Sequence, residues 1–145
     1  WRAGTENVPY IVGFQRALAL AIQTRNEKKN RYIELSEYLQ EQLTARQIPF
    51  EINGDVSRKS PHICNVWLKG IPASQTLIMC DLHQVAVSAG SACSAGSLEP
   101  SPVLSLMFPQ NKNRVVESVR LSFGGETTKE DIDAFISSIS SIKRP

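Results

Sequence analysis

A run of small side chains between residues 88 and 97 limits the fold of this chain more than any other feature of its sequence. Apart from Cys93, every residue in the run is serine, alanine or glycine, so the run supplies nothing that could anchor a hydrophobic core. Gly90 and Gly96 bracket the cysteine and allow wide backbone freedom. The run is therefore predicted to be a mobile, exposed loop, and the core has to come from the segments on either side.

Apolar residues at helical spacing occur in both of these segments. The first helix is predicted to present a stripe made of Ile11, Phe14, Leu18 and Ile22, and the polar residues 24–30 predict a break or a bend after it. Two further helices have start signals: Ser101 followed by Pro102, and a capping box formed by Thr128 and Asp131. The predicted helices cover residues 8–24, a second stretch around 32–43, residues 74–83, a short stretch from 102 and the C-terminal stretch from 129. The second helix is predicted to bury Tyr32, Leu35, Leu39 and Leu43. The helix 74–83 is predicted to turn Leu77, Ile78 and Leu82 inward, with Ser74 as its cap.

Strand patterns alternate with the helical ones. The short predicted strands cover residues 50–52, 62–68, 85–87 and 118–123. No segment repeats and no linker divides the chain, so residues 1–145 are predicted to form one α/β domain, a small sheet of short strands packed against helices.

Charge and hydropathy exclude several function classes. With 16 basic and 14 acidic residues, the net charge of +2 gives no reason to expect nucleic-acid binding. No apolar run approaches the roughly 20 residues that span a bilayer. The three cysteines are odd in number and widely spaced, which argues against a disulfide framework and favours a cytoplasmic protein.

Two cysteines form close pairs with the two histidines of the chain. His62 with Cys64, and Cys80 with His83, offer four soft ligands that could bind zinc. Neither pair has a zinc-finger ligand pattern, and Cys64 stands inside an apolar strand where a buried thiol acts as a small hydrophobe. We therefore predict no metal site.

Cys93 and Arg120 are the candidate functional residues. A thiol on a mobile arm can accept a group at one site and deliver it at another, although the composition also fits a plain glycine-serine loop. Arg120 lies opposite an apolar strand face between Ser118 and Ser122, where it could bind a carboxylate bidentately. The alternation alone favours an ordinary exposed arginine at a sheet edge. No His/Asp arrangement adjoins Cys93 in sequence, and no lysine stands in a setting that indicates a Schiff base.

Five blocks of the sequence, in order, resemble the C-terminal part of a cysteine desulfurase of the class V aminotransferase family. The most specific is the Gly-Ser-Ala-Cys segment that ends at Cys93, followed by Glu99-Pro100-Ser101. The segment 107–117 is more polar and irregular than the family pattern. The five blocks are residues 2–7, 61–66, 87–94, 98–104, and 119–124 together with 127–133.

The resemblance implies the small C-terminal domain of a fold-type I enzyme that uses pyridoxal 5'-phosphate and acts as a homodimer. Such enzymes convert L-cysteine to L-alanine and keep the sulfur as a persulfide. The sulfur then passes to an acceptor, such as a scaffold protein of iron–sulfur cluster assembly or the tRNA thiolation route. By the resemblance, Cys93 is the catalytic nucleophile, Arg120 binds the substrate carboxylate, and Thr5 contacts the cofactor phosphate of the other subunit.

The same resemblance leaves the Schiff-base lysine of the family without a match in this chain. The domain that carries this lysine would precede Trp1, so the fragment alone is expected to be inactive. Two alternatives stay open at the level of sequence. One is a selenocysteine lyase, which shares the fold and the cofactor. The other is a non-catalytic module that carries sulfur or a metal on Cys93.

Overall fold

The structure is a computed structural model, and it describes residues 3–90 and 100–142. Cys93 lies outside the described residues. In chain order the described elements are α1 (Val8–Ala45), β1 (Phe50–Ile52), β2 (Ile63–Leu68), α2 (Ala73–Leu82), α3 (Pro102–Met107), α4 (Lys112–Val116), β3 (Ser118–Ser122) and α5 (Lys129–Ser140).

The first helix is one continuous element of 38 residues, so the first of the two alternatives predicted for residues 24–30, a break, does not occur. The segment is polar but contains neither glycine nor proline, and Arg25, Glu27 and Lys28 are good helix formers. Polarity alone does not end a helix. At 1.5 Å per residue, α1 is about 57 Å long.

Only the C-terminal half of α1 packs on the domain. Leu35, Leu39 and Leu43 are buried there, as their helical spacing predicts. The predicted stripe in the N-terminal half is exposed instead, and Phe14 keeps 71% of its surface accessible. The apolar spacing therefore predicted a helix correctly but did not predict burial within this chain.

The three strands form an antiparallel sheet in the order β1-β2-β3. Strand β2 lies in the middle, with Ile52 opposite Val66 on one side and Val66 opposite Val119 on the other. Residues 85–87 are not a strand, contrary to the prediction. Among the described residues that follow it, Ser88 forms an isolated bridge with Arg120.

One face of the sheet is apolar and packs against α1, α2 and α5. The helices contribute Leu39, Cys80, Phe135 and Ile136, among others, to a single buried cluster with the strands. The capping box of Thr128 and Asp131 begins α5, as predicted. The strand residues on this face are Cys64, Val66, Leu68, Val119 and Leu121, with Phe123 just beyond β3.

The buried side of α2 differs from the predicted one. Ala73, Thr76 and Cys80 are buried, whereas Ile78 and Leu82 are mostly exposed and Leu77 is half-buried. Pro72, not Ser74, occupies the N-cap position. Apolar residues occur on both sides of this short helix, so their spacing could not indicate which side faces the sheet.

The α/β expectation of a small sheet packed against helices is confirmed. In the described part of the chain, no helix is both long enough and apolar enough to cross a bilayer.

Candidate functional site

Arg120 lies in β3 on the face of the sheet opposite the core. Its neighbours in the strand, Val119 and Leu121, are buried in the core, while the arginine itself is half-buried. Its Nε is buried and has no hydrogen-bond partner within the described residues. A buried guanidinium nitrogen without an acceptor is unfavourable, because it loses water without gaining a partner. The position is therefore suited to binding an anion and differs from that of an ordinary exposed arginine.

The backbone of Arg120 connects β3 to the base of the small-residue run. Its N–H donates to the carbonyl of Ser88 at 2.6 Å, and the N–H of Ser88 donates to the carbonyl of Arg120 at 3.1 Å. Gly90 follows with a φ of +69°, a conformation that favours glycine. The last described residues before Cys93 therefore lie directly beside Arg120.

The two ends of this segment line one cavity of about 180 Å³. Gly90 lines it on one side, and Pro100 with Ser101 lines it on the other. Ser101 accepts a hydrogen bond from the N–H of Leu104 and so begins α3, with Pro102 at the first turn as predicted. The described residues that flank the candidate nucleophile therefore lie close together, next to β3.

Thr5 lies apart from this region. It is exposed and precedes the first residue of α1, whose N-terminal half does not contribute to the core. Tyr32 is the first residue of α1 that packs on the core, and 24 helical residues separate it from Val8, a rise of about 36 Å. The structure does not bring Thr5 and Arg120 together within this chain.

A polar network that the sequence did not reveal covers the face on which Arg120 lies. Asn53 donates through its side-chain amide to Oδ1 of Asn65 at 2.6 Å and to Oγ of Ser118 at 2.8 Å. Arg114 donates through Nε to Oδ1 of Asn53 at 2.7 Å. In the sequence, Asn53 precedes Gly54 as in a turn, and Asn65 lies in the block 61–66 of the family resemblance, but neither position indicates that the two side chains meet.

Aromatic contacts and one carboxylate hold this network in place. The guanidinium of Arg114 lies 4.0 Å from the ring centroid of Phe108 and 5.1 Å from that of Trp67, distances typical of cation–π contacts. Trp67 donates through Nε1 to Glu117 at 2.7 Å, and the same carboxylate oxygen accepts from the N–H of Gly70. The irregular segment 107–117 therefore contributes Phe108, Arg114 and Glu117 to the polar face.

Glu51 completes the network at its edge. Its carboxylate contacts Lys69 at 2.6 Å and Arg114 at 2.8 Å. The hydrogen bond from Lys69 and the charges of both cations keep the pKa of Glu51 below its usual value. Both side chains of the Lys69 pair are well exposed, so this pair orients Arg114 more than it stabilises the domain.

The four residues considered for zinc have separate surroundings. Cys64 is buried on the core side of β2, with its Sγ 3.9 Å from Nζ of Lys59, while His83 contacts Oγ of Ser138 through Nδ1 at 3.0 Å. Burial raises the pKa of Cys64, and it raises the pKa of Cys80 to about 11. Within residues 3–90 and 100–142, no group of three or more histidine, cysteine or acidic residues could hold a metal ion.

Comparison with known proteins gives a consistent set of relatives. Residues 1–135 match the family model described as aminotransferase class-V. A Bacillus subtilis (strain 168) protein provisionally named as cysteine desulfurase IscS 1 is 41% identical over 131 residues, which are 90% of this chain and 35% of that protein. The cysteine desulfurase IscS of Dictyoglomus turgidum is 38% identical over 136 residues, which are 91% of this chain and 33% of that protein.

A solved structure supports the same fold. The NifS-like protein from Rickettsia africae aligns with a TM-score of 0.73 at 30% identity, covering 95% of this chain and 35% of that one. This chain therefore spans about a third of the length of the relatives that it matches.

Proposed function

Because the chain belongs to the class V aminotransferase family, we propose that it forms the C-terminal domain of a cysteine desulfurase. The reaction would convert L-cysteine to L-alanine and leave the sulfur on Cys93 as a persulfide. One observation carries the proposal beyond the family resemblance. The buried, unpartnered Nε of Arg120 lies in a strand whose backbone pairs with the base of the Cys93 segment.

The remainder of the active site would come from outside this chain. The relatives are about three times longer, and no lysine here matches the Schiff-base lysine of the family. Thr5 carries a hydroxyl that can donate to a phosphate, and it is exposed at the far end of α1. This single donor fits one contact to pyridoxal phosphate but does not by itself form a cofactor site. Its distance from the core supports a contact across a homodimer interface.

Pyridoxal phosphate, when bound, would supply the electron sink that weakens the C–S bond of the substrate. Arg120 would hold the substrate carboxylate through charge-assisted hydrogen bonds, which are the strong class. This contact satisfies the buried Nε and fixes the orientation of the substrate.

Cys93 would act as the sulfur acceptor. Its thiolate attacks the substrate sulfur, a new S–S bond forms and the C–S bond breaks, with the electron pair remaining on the carbon side. Protonation of that carbon gives L-alanine, so L-cysteine and a thiol become L-alanine and a persulfide. Cys93 is the fifth residue after Ser88, which gives a covalent reach of at most about 18 Å. The chain thus keeps the nucleophile within reach of a substrate held at Arg120.

Two further proposals, on the sulfur acceptor and on the compartment, follow from this chemistry. A persulfide on a segment attached at one edge of the domain can be passed to an acceptor protein, such as a scaffold for iron–sulfur cluster assembly or a tRNA thiolation component. A reducing cytoplasm is the proposed compartment. The free, buried thiols of Cys64 and Cys80 support this choice.

The proposal is tested in the full-length enzyme by comparing Cys93→Ala with Cys80→Ala. We expect Cys93→Ala to keep the absorbance of bound pyridoxal phosphate but to lose the release of sulfide and L-alanine from L-cysteine. Cys80→Ala removes a buried thiol in α2 and should keep both the absorbance and the activity. Undiminished alanine formation by Cys93→Ala would overturn the assignment of the nucleophile. Failure of the unmodified enzyme to form alanine would overturn the proposed reaction.

A further inference from the structure

We propose that Asn65 is a second contact for the substrate carboxylate, and that Asn53 and Arg114 fix the orientation of its amide. This inference rests on the proposed function and adds a binding residue to it. It is carried by three observations: the register between β2 and β3, the direction of each hydrogen bond in the polar network, and the unpartnered nitrogen of Arg120.

The register places Asn65 and Arg120 directly opposite each other on the polar face of the sheet. Both backbone groups of Arg120 bond to Ser88, on the side away from β2. Asn65 and Arg120 are therefore a pair without mutual backbone hydrogen bonds. In such pairs the Cα atoms are only about 4.5 Å apart and the side chains come closest.

The orientation of the Asn53 amide is fixed by two neighbours. A guanidinium can only donate, so the Nε of Arg114 requires the oxygen of Asn53 to face it. Ser118 uses its one hydroxyl hydrogen on the carbonyl of Arg114 and can only accept from Asn53. Both constraints turn the NH₂ group of Asn53 toward Ser118 and Asn65.

The orientation of Asn53 in turn fixes that of Asn65. Asn65 accepts the hydrogen bond from Asn53 through its oxygen, so its own NH₂ group points away from Asn53. Within the described residues, the structure gives this NH₂ group no acceptor. The oxygen and nitrogen of an asparagine amide are usually hard to tell apart. Here the guanidinium of Arg114, which can only donate, decides which end is which.

Two donors without acceptors therefore lie side by side on one face of the sheet. One is the positively charged side chain of Arg120, with its buried Nε, and the other is the amide of Asn65. A carboxylate is an acceptor with two oxygens and a negative charge, and it satisfies both donors. The α-carboxylate of the amino-acid substrate is the group of this chemistry that the proposed reaction brings to the site.

The first experiment replaces the donor of Asn65 by an acceptor of the same shape. In the full-length enzyme loaded with pyridoxal phosphate, calorimetry measures the affinity for L-alanine, and kinetics measure KM and kcat for L-cysteine. We expect Asn65→Asp to weaken L-alanine binding by about tenfold to a hundredfold, the size of a hydrogen bond to a charged group. KM should rise with it, and kcat should change much less.

Two controls separate this contact from a general effect of charge or stability. Asn30→Asp makes the same chemical change on the exposed surface of α1 and should leave the affinity for L-alanine unchanged. Binding of cysteamine, which keeps the amine and thiol but lacks the carboxylate, should not weaken in Asn65→Asp. If the affinity for L-alanine is unchanged in Asn65→Asp, the inference is wrong. Equal weakening for cysteamine would also overturn it.

The second experiment changes the orientation of Asn65 without altering that residue. In Asn53→Asp the carboxylate at position 53 can still accept from Arg114, but it cannot donate to Asn65. The NH₂ group of Asn65 should then turn toward position 53 and present its oxygen to the substrate. We expect a higher KM for L-cysteine, with a much smaller change in kcat. An unchanged KM would show that Asn53 does not position Asn65.

Failure of this inference is distinguishable from failure of the proposed function. The proposed function fails if the unmodified enzyme forms no L-alanine from L-cysteine. The inference is decided by the affinity for L-alanine in Asn65→Asp, which does not depend on turnover. Arg120→Ala serves as the reference and should weaken L-alanine binding at least as much as Asn65→Asp.

Discussion

Burial makes two of the three cysteines poor nucleophiles. The pKa of Cys80 is raised to about 11 because burial disfavours the thiolate, and burial also raises the pKa of Cys64. Both side chains are inaccessible in the core cluster. The small amount of thiolate at neutral pH and the lack of access both oppose reaction at these two positions.

Alkylation of the folded chain with iodoacetamide at pH 8 tests this difference. We expect Cys64 and Cys80 to react slowly in the native protein and fully in guanidinium chloride, as measured by peptide mass mapping. The pKa of Cys80 moves upward from 9.0 to about 11, so its thiolate forms only as the pH rises toward 11. Rapid modification of either residue in the native protein at pH 8 would contradict their burial.

Arg120 illustrates how much of the candidate site the sequence could predict. The alternation of Val119, Arg120 and Leu121 correctly indicated a strand with the arginine opposite the core. Its two closest partners across the sheet, Ser88 and Asn65, are 32 and 55 residues away along the chain. Pairing at that separation depends on register and tertiary packing, which short-range periodicity does not carry. The roles of Cys93, Arg120 and Thr5 remain predictions.

At the scale of elements, local signals predicted the helix ends best. The capping box of α5 and the Ser101-Pro102 start of α3 both form as expected, because each depends on residues within one turn. The continuous α1 and the buried side of α2 were missed, because both depend on what the helix packs against. Neighbouring residues thus suffice to predict that a segment is helical. They do not suffice to predict which side of the helix is buried.

The capping box offers a test at this scale. The carboxylate of Asp131 accepts from the N–H of Thr128 at 2.9 Å and lies in the first turn of α5, where negative charge is favourable. Asp131→Ala should lower the free energy of unfolding by about 1 kcal/mol. Urea denaturation of the chain measures this change.

The matched control in α5 is Ser137→Ala. Ser137 is exposed in the middle of the same helix, and alanine has the higher helix propensity there. The free energy of unfolding should therefore be unchanged or slightly higher in this variant. Equal destabilisation by the two substitutions would rule out a specific contribution from the cap.

At the scale of the whole molecule, α1 extends beyond the core that this chain provides. Its N-terminal half exposes large apolar side chains from Val8 to Ile22, about 21 Å of helix, and Phe14 and Leu18 remain 71% and 50% accessible. An exposed apolar stripe of this kind is typical of a region that another body covers. We propose that in the full-length enzyme this body is the rest of the protein, and that the exposed stripe is an internal contact between its domains.

Replacing residues of this stripe with polar ones tests whether the stripe is exposed in the chain alone and covered in the full-length enzyme. In the chain alone, Phe14→Gln combined with Leu18→Gln should change the free energy of unfolding by no more than about 0.5 kcal/mol, since both side chains are already in water. In the full-length enzyme the same pair should lower the melting temperature, because the variant places polar amides in a buried contact.

Leu39→Gln is the comparison. Leu39 is fully buried in the core of this chain, so its replacement should cost about 2–5 kcal/mol in the chain alone. If the Phe14 and Leu18 pair destabilised the isolated chain as strongly as Leu39→Gln, α1 would fold back on its own domain. If the pair left the full-length enzyme unaffected, the stripe would not be an internal contact.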